Sequence, residues 1–403
     1  MKILQIHNKY QSYGGEDVLL QSEFNLLKEN GHTVEQLFFD NNIIRPSFFG
    51  KLKAGIRSIY NFKSARVVQH AISTFKPDII HVQNFFPILS PAVFYVANRN
   101  NVPVVATINN YRLICSNATL LRDNHLCVKC VNKILPLSGV VHKCYHNSHF
   151  QSAAVTLMSS VHKLLGTWRN RIDMYIIAMT EFGKETFITS SLKLPSEKCT
   201  LKPNFVVDMG VGSESREDFY LCFARLSEEK GIRVLLDSLN HVKYKLKIVG
   251  DGPLRPIVEK AVKGNASIEF LGFKNIDWII AEVKKSRAVI MPSIWYEALP
   301  LSVLHTLSTG TPLIISDLPP FRELIADEVN GFHFKTGDSV DLARKIEFFN
   351  QNYDQMKVLY KNARETYLEK YTPQRNYLML IEIYERLLES YRQKSKSIHK
   401  LGA

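Results

Sequence analysis

No apolar run in this 403-residue chain approaches the ~18 residues that a membrane-spanning helix needs. The longest candidates, such as Met174–Met179, are strand-sized. Cysteine is scarce as well, and six residues are too few for a disulfide scaffold. Short-period repeats and low-complexity tracts are missing, which removes disordered and repetitive architectures. Met1-Lys2 leads straight into Ile3-Leu4-Gln5-Ile6, with no long apolar core or small-residue cleavage site behind it. A secretory leader is therefore not expected, and cytoplasmic residence is.

Acid is in short supply: 38 Asp+Glu stand against 51 Lys+Arg, a formal charge of +13. The shortage is uneven. Residues 1–200 hold 22 basic and 12 acidic side chains (22 − 12 = +10), and residues 201–403 hold 29 and 26 (29 − 26 = +3). An excess confined to one half marks a surface that meets an anion: nucleic acid, an anionic membrane or a phosphorylated substrate.

What is present is globular: 45% hydrophobic and 22% charged residues, in a length that suits two domains. Both halves alternate apolar strands with helical segments, the pattern of parallel doubly wound sheets. In the first half the strands are Lys2–His7, His32–Phe39, Asp78–Gln83, Pro103–Ile108 and Tyr175–Met179, with a helix over Glu16–Asn30. In the second they are Phe219–Phe223, Lys245–Val249, Ile268–Leu271, Ala288–Met291 and Pro312–Ser316. A turn-rich run near Pro203–Gly212 separates the halves. The expected organisation is α/β, with two Rossmann-like domains (1–205 and 206–372) facing a cleft. A last helix within 373–403 returns to the first domain.

Several turns follow strands where ligands bind in such folds. Gly14-Gly15-Glu16 opens the first helix, where backbone N–H groups and missing Cβ atoms let a phosphate approach. Arg225 and Lys230 follow the first strand of the second half and suit a diphosphate, although a solvated charged loop would look the same. Gly250-Asp251-Gly252-Pro253 is an equivalent turn after the next strand. In Met291 to His305, a buried strand breaks at Pro292 and a helix starts near Pro300. Glu297 is thereby placed to grip sugar hydroxyls, and the Pro300–Leu301 turn would offer free N–H groups. A helix-capping Glu is the plainer alternative.

With these landmarks, and with His81-Val82-Gln83-Asn84, Thr107 to Arg112 and Lys202-Pro203-Asn204-Phe205 in the same order, the chain resembles the family 4 retaining nucleotide-sugar glycosyltransferases of GT-B fold. The resemblance implies transfer of a sugar from a nucleotide diphosphate to an acceptor hydroxyl, with no metal needed for catalysis. It implies that Arg225 and Lys230 stabilise the leaving diphosphate and that Glu297 holds the donor sugar. Gly14, Gly15, Gly250, Pro300 and Leu301 would then line the donor. Two positions depart from the family pattern: His305 stands where a second Glu binds ribose, and Asn109 where a His is usual. Asn109 can still bond a sugar hydroxyl. These departures keep a second reading open, a non-catalytic sugar-nucleotide or glycan-binding protein.

Cys115, Cys127, Cys130 and Cys144 are spaced C-x11-C-x2-C-x13-C within a polar stretch, 112–147, that has little core of its own. Four thiolates would complete a structural zinc site. Four reduced thiols, or a disulfide formed after purification, are the alternatives. Ser47–Gln69 carries Phe48, Phe49, Leu52, Ile56, Ile59 and Tyr60 at helical steps, interspersed with Lys51, Lys53, Arg57, Lys63 and Arg66. No acid occurs from Asn41 to Pro77. That is the pattern of a basic amphipathic helix on an anionic membrane, or of a sheet-covering helix with a solvated face. Lys163–Arg171 around Trp168 would widen the patch. The expected partners are a nucleotide diphosphate sugar, a lipid-linked or oligosaccharide acceptor and the inner face of a membrane. Nucleic acid is not expected, for no recognition motif is present.

Overall fold

The computed structural model describes residues 1–9, 14–43 and 47–401. The side chains of Phe48, Phe49, Lys51 and Leu52, and those from 395 onward, lie outside the described residues. The chain forms two compact units. The first comprises Met1–Leu120, Cys127–Pro203 and Asn376–Ala403; the second comprises Leu121–Leu126 and Asn204–Arg375.

The first unit is built on strands β1 (Lys2–Lys9), β2 (Thr33–Asp40), β3 (Ile79–Asn84), β4 (Val104–Ile108), β5 (Met174–Ile177) and β6 (Cys199–Leu201). They form a parallel six-stranded sheet in the order β2-β1-β3-β4-β5-β6. Six consecutive residues of β1 and all four of β5 are buried, as expected of strands covered on both faces. The helices that matter below are α1 (Gly15–Glu29), α2 (Phe48–Ile59), α3 (Phe62–Phe75), α4 (His149–Leu164), α5 (Leu301–Ser308) and α6 (Pro373–Leu401).

The single helix expected over Ser47–Gln69 is two. Tyr60 is extended, and Asn61 caps α3 by accepting from the Lys63 N–H at 3.1 Å. Asn61 also donates to the Ile88 carbonyl at 2.7 Å, and its backbone N–H donates to Ser90 Oγ at 2.9 Å. A buried Asn satisfied by three partners fixes the break.

The second unit is built on strands β7 (Tyr220–Phe223), β8 (Leu246–Val249), β9 (Ile268–Phe270), β10 (Ala288–Met291), β11 (Leu313–Ser316) and β12 (Gly331–Phe334). Their order is β9-β8-β7-β10-β11-β12, again all parallel. This is the 3-2-1-4-5-6 order of dinucleotide-binding sheets, with its reversal between β7 and β10. Cores lie on both faces of the sheet. Leu246, Ile248 and Ile314 pack with Phe332 and Phe349 on one side; Leu221, Val249 and Val289 pack with Leu304 and Phe321 on the other.

α6 supplies Leu380, Ile383, Tyr384 and Leu387 to the core of the first unit, against Ile3, Leu27, Val105 and Ile176. Beneath it sits a buried polar network. Glu23 of α1 accepts from Gln5 Nε2 at 3.0 Å and Gln83 Nε2 at 2.8 Å, and pairs with Lys202 Nζ at 3.3 Å. His81 Nδ1 lies 3.2 Å from Glu23 and 2.7 Å from the Tyr384 hydroxyl; Lys202 also donates to Asn376 Oδ1 at 2.9 Å. Burial alone would raise the Glu23 pKa, but His81 and Lys202 outweigh it and hold the carboxyl down at about 2.

Candidate active site

The reversal between β7 and β10 opens a pocket in the second unit, lined by Cys222–Arg225, Lys230, Met291–Ser293 and Ser302. Crevices form here because the loops leaving the two strands diverge to opposite sides of the sheet. The Arg225–Lys230 loop is held from both sides. Leu226 N–H donates to the Asp251 carbonyl at 2.9 Å, and Ile294 N–H donates to the Glu229 carbonyl at 2.9 Å. Gly231 turns at φ +67, and a Cβ there would collide with the Pro292 carbonyl. Gly250 (φ +144) is packed just as closely on the Ala224 carbonyl, so this glycine shapes the loop rather than touching a ligand itself.

Lys230 Nζ donates to Glu297 Oε1 at 2.7 Å, and Ser293 Oγ donates to the same oxygen at 2.6 Å. Glu297 is 5% exposed and Lys230 19%. Both bonds fall on Oε1, and among the described contacts Oε2 takes none, which leaves its lone pairs for hydroxyl donors. The ammonium also lies 5.5 Å from the Trp295 ring. Arg225 is exposed and, among the described residues, has no ion-pair partner. Ser293 and Trp295 complete this cluster, and the sequence reading did not single them out; a Ser four positions before a buried Glu was the signal.

α5 starts at Leu301 with no side-chain cap on Pro300, so its first N–H groups are not satisfied by a capping side chain. His305, one turn on, is half-buried, and burial pushes its pKa down to about 4. The ring is therefore neutral at pH 7, and its Nδ1 is buried without a partner.

Gly14, Gly15 and Asn109 lie in the first unit. Gly14 caps α1, with its N–H donating to Asp17 Oδ2 at 3.0 Å, and among the described residues no atom lies within 4 Å of where its Cβ would be. Its φ of −144 is open to any residue, so its backbone conformation does not demand glycine. Asn109 follows β4 and lines a second, smaller pocket together with Glu16, Gln83, Asn84, Asn110 and Arg112. Arg112 lies over the rings of Phe86 and Tyr145, and its Nη1 is buried without a partner.

None of the four clustered cysteines is in a disulfide. Among the described residues no group of three or more His, Cys, Asp or Glu is arranged to hold a metal ion. Burial, with Cys115, Cys144 and Cys127 nearby, pushes the Cys130 thiol up to about 11. The four thiols thus lie within electrostatic reach without converging on one point. Cys199 and Cys222 are ordinary buried residues. Lys53 is exposed and Arg57 half-buried, while the side chains of Phe48, Phe49 and Lys51 lie outside the described residues.

Two parallel six-stranded sheets of this kind, one in each unit, give the chain the α/β fold of GT-B glycosyltransferases. Residues 210–366 match the family described as glycosyl transferases group 1. Over 359 residues, 80% of this chain and 87% of the relative, the sequence is 23% identical to an uncharacterized 42.6 kDa protein in the cps region of Klebsiella pneumoniae. It is 25% identical over 178 residues to the O-antigen chain mannosyltransferase C of Escherichia coli, covering 43% of this chain and 48% of that one. The crystal structure of Anabaena HepE in complex with UDP superposes at a TM-score of 0.67, with 16% identity, over 96% of this chain and 100% of that chain.

Proposed function

We infer that the protein is a retaining, metal-independent glycosyltransferase. It moves a sugar from a nucleotide diphosphate sugar to a lipid-linked or oligosaccharide acceptor in surface polysaccharide synthesis, at the inner face of the membrane. The Lys230–Glu297 pair beside Arg225, at the strand reversal of the second unit, carries this reading. Charge develops on the diphosphate as it leaves, and fixed cations in a sheltered pocket stabilise it without reorganising. Glu297 Oε2 accepts from donor-sugar hydroxyls while Oε1 stays tied to Lys230 and Ser293. The relatives from a cps region and from O-antigen chain synthesis support a polysaccharide product. Turnover on lipid-linked acceptors, read by mass spectrometry across a nucleotide-sugar panel, tests it; donor binding without hydrolysis or transfer would reject it.

That outcome would favour the second reading, a sugar-nucleotide or glycan-binding protein, which the neutral, unpartnered His305 motivates. A neutral imidazole accepts one hydrogen bond where a carboxylate accepts from both ribose hydroxyls. His305→Glu is therefore expected to keep activity and to bind donor as tightly or more tightly in calorimetry. Equal, undetectable binding by both versions would count against catalysis.

The C-x2-C centre and flanking thiols support a structural zinc site by spacing alone, and the four side chains, which do not converge in the structure, would have to close around the ion. Protein purified without added zinc is expected to hold about one equivalent, and less than about half would reject the site.

A further inference from the structure

The pocket of the first unit holds a cation that its surroundings do not neutralise. Of the described lining residues, Arg112 is the one base and Glu16 the one acid, and the two form no ion pair. The Arg112 guanidinium lies 5.1 Å from the centre of the Phe86 ring and 5.0 Å from that of Tyr145. Its Nη1 is buried with no acceptor, and among the described residues the side chain makes neither a hydrogen bond nor an ion pair. Arg216 of the second unit shows the contrast. It too lies over a ring, that of Tyr360 at 4.6 Å, yet its Nη1 donates to the Lys284 carbonyl at 2.6 Å and to Thr311 Oγ1 at 3.0 Å. Arg216 spends its donors on the fold, whereas Arg112 keeps its fork unspent, and a buried donor without an acceptor is costly to keep.

The backbone that carries Arg112 is fixed on both sides. The Arg112 N–H donates to Asn110 Oδ1 at 3.1 Å, the Tyr111 N–H to the Ala118 carbonyl at 3.2 Å, and Ser159 Oγ of α4 to the Leu113 carbonyl at 2.7 Å. Tyr111 is buried and stacks on Phe187 with ring centres 5.8 Å apart. The aromatic wall is equally constrained. The Phe86 N–H donates to Asn84 Oδ1 at 3.1 Å, and Phe85 packs on Trp168 at 5.6 Å. Trp168, which the sequence placed at the surface, is buried, donating from Nε1 to the Ser159 carbonyl at 3.3 Å. The fork is therefore presented ready-made, and a ligand that meets it pays little to order it.

We propose that this pocket binds an acidic sugar, a uronate, whose carboxylate accepts from the Arg112 fork while its hydroxyls bond Glu16 and the Asn109 amide. A planar fork on a single cation matches a planar monoanion. A phosphate monoester carries nearly two charges at pH 7 and would face Glu16 with one cation to balance it. A neutral sugar would leave the Arg112 donors as unmatched as they are now. The use of the site rests on the transferase reading: the uronate is then a residue of the acceptor, which makes the acceptor an acidic glycan.

Ligand-observed NMR titration of the full chain, with no donor present, tests this using glucuronate, galacturonate, glucose and glucose 6-phosphate. At least one uronate is expected to bind about tenfold more tightly than glucose or the sugar phosphate. Arg112→Gln abolishes that preference, and Arg112→Lys, which keeps the charge without the fork, restores part of it. Glu16→Gln removes the one acid of the lining and tightens uronate binding about threefold. A merely structural role for Arg112 would move the melting temperature and leave the uronate-to-glucose ratio alone. Should Arg112→Gln fail to fold, the wild-type preference and the Glu16→Gln shift still decide. No uronate binding, equal binding of uronate and glucose, tighter binding of the sugar phosphate, a folded Arg112→Gln with its preference intact, or weaker uronate binding by Glu16→Gln overturns the proposal. The two readings fail separately. A chain that binds uronate but transfers nothing sinks the transferase reading alone, and one that transfers to neutral acceptors with no uronate preference sinks this proposal alone.

Discussion

Sugar transfer by Lys230→Ala is expected to fall by about 10²–10³-fold, the usual loss when one charge-stabilising donor is taken from a transition state. The loss has two physical sources. The ammonium no longer faces the departing diphosphate, and Glu297, 5% exposed, is left with Ser293 as its remaining bonded partner. Because the first source acts on charge that develops only during reaction, kcat should fall much more than KM for the donor rises. Arg225→Ala is expected to behave likewise without touching Glu297, since Arg225 is exposed and makes no ion pair among the described residues. Steady-state kinetics with the donor identified by the panel would check both. A Lys230→Ala enzyme with unchanged kcat would remove the pair from the mechanism.

The second large effect concerns stability. Lys202→Ala leaves Glu23 buried beside His81 without its ammonium, and breaking such a pair costs about 3–5 kcal/mol. Replacing both members, Glu23→Leu with Lys202→Met, should recover much of that loss, because neither charge is then left stranded. Chemical denaturation of the three proteins distinguishes these outcomes. Acid should act through the same site. The Glu23 carboxyl is held at about 2, below its ordinary 4.5, so its contribution is fully present above pH 4.5 and is lost as pH falls toward 2. Glu23→Gln removes that part of the acid sensitivity, and thermal melts at pH 5 and pH 3 would show it.

The sequence made the strands legible where burial on both faces imposes continuous apolar runs, as in Ala288-Val289-Ile290-Met291. It was mute for β6 and β12. Cys199-Thr200-Leu201 is too short to show any pattern, and Gly331-Phe332-His333-Phe334 hides a His that donates from its ring to the Ile325 carbonyl at 2.7 Å. In the candidate site, Arg225, Lys230 and Glu297 could be read as a set from their positions after strands, but the 2.7 Å contact between residues 67 apart could not. The Glu23 network was equally hidden. Gln5, His81 and Gln83 interrupt apolar strands, which signals a buried polar demand, yet the groups meeting it lie at 202, 376 and 384 and come together only through topology. The break at Asn61 was missed for a related reason: a helical period continues on either side, and the partners that stop it, Ile88 and Ser90, are more than 25 residues away.

The bond between His81 and Tyr384 joins residues 303 positions apart inside one unit. During synthesis, the sheet of the first unit is therefore laid down long before the helix that roofs it exists. At about 5–20 residues per second, translation leaves that polar patch unroofed for roughly 10–35 seconds while residues 204–375 of the second unit emerge. The order of completion is thus inverted: the half of the protein made first is the half that finishes last.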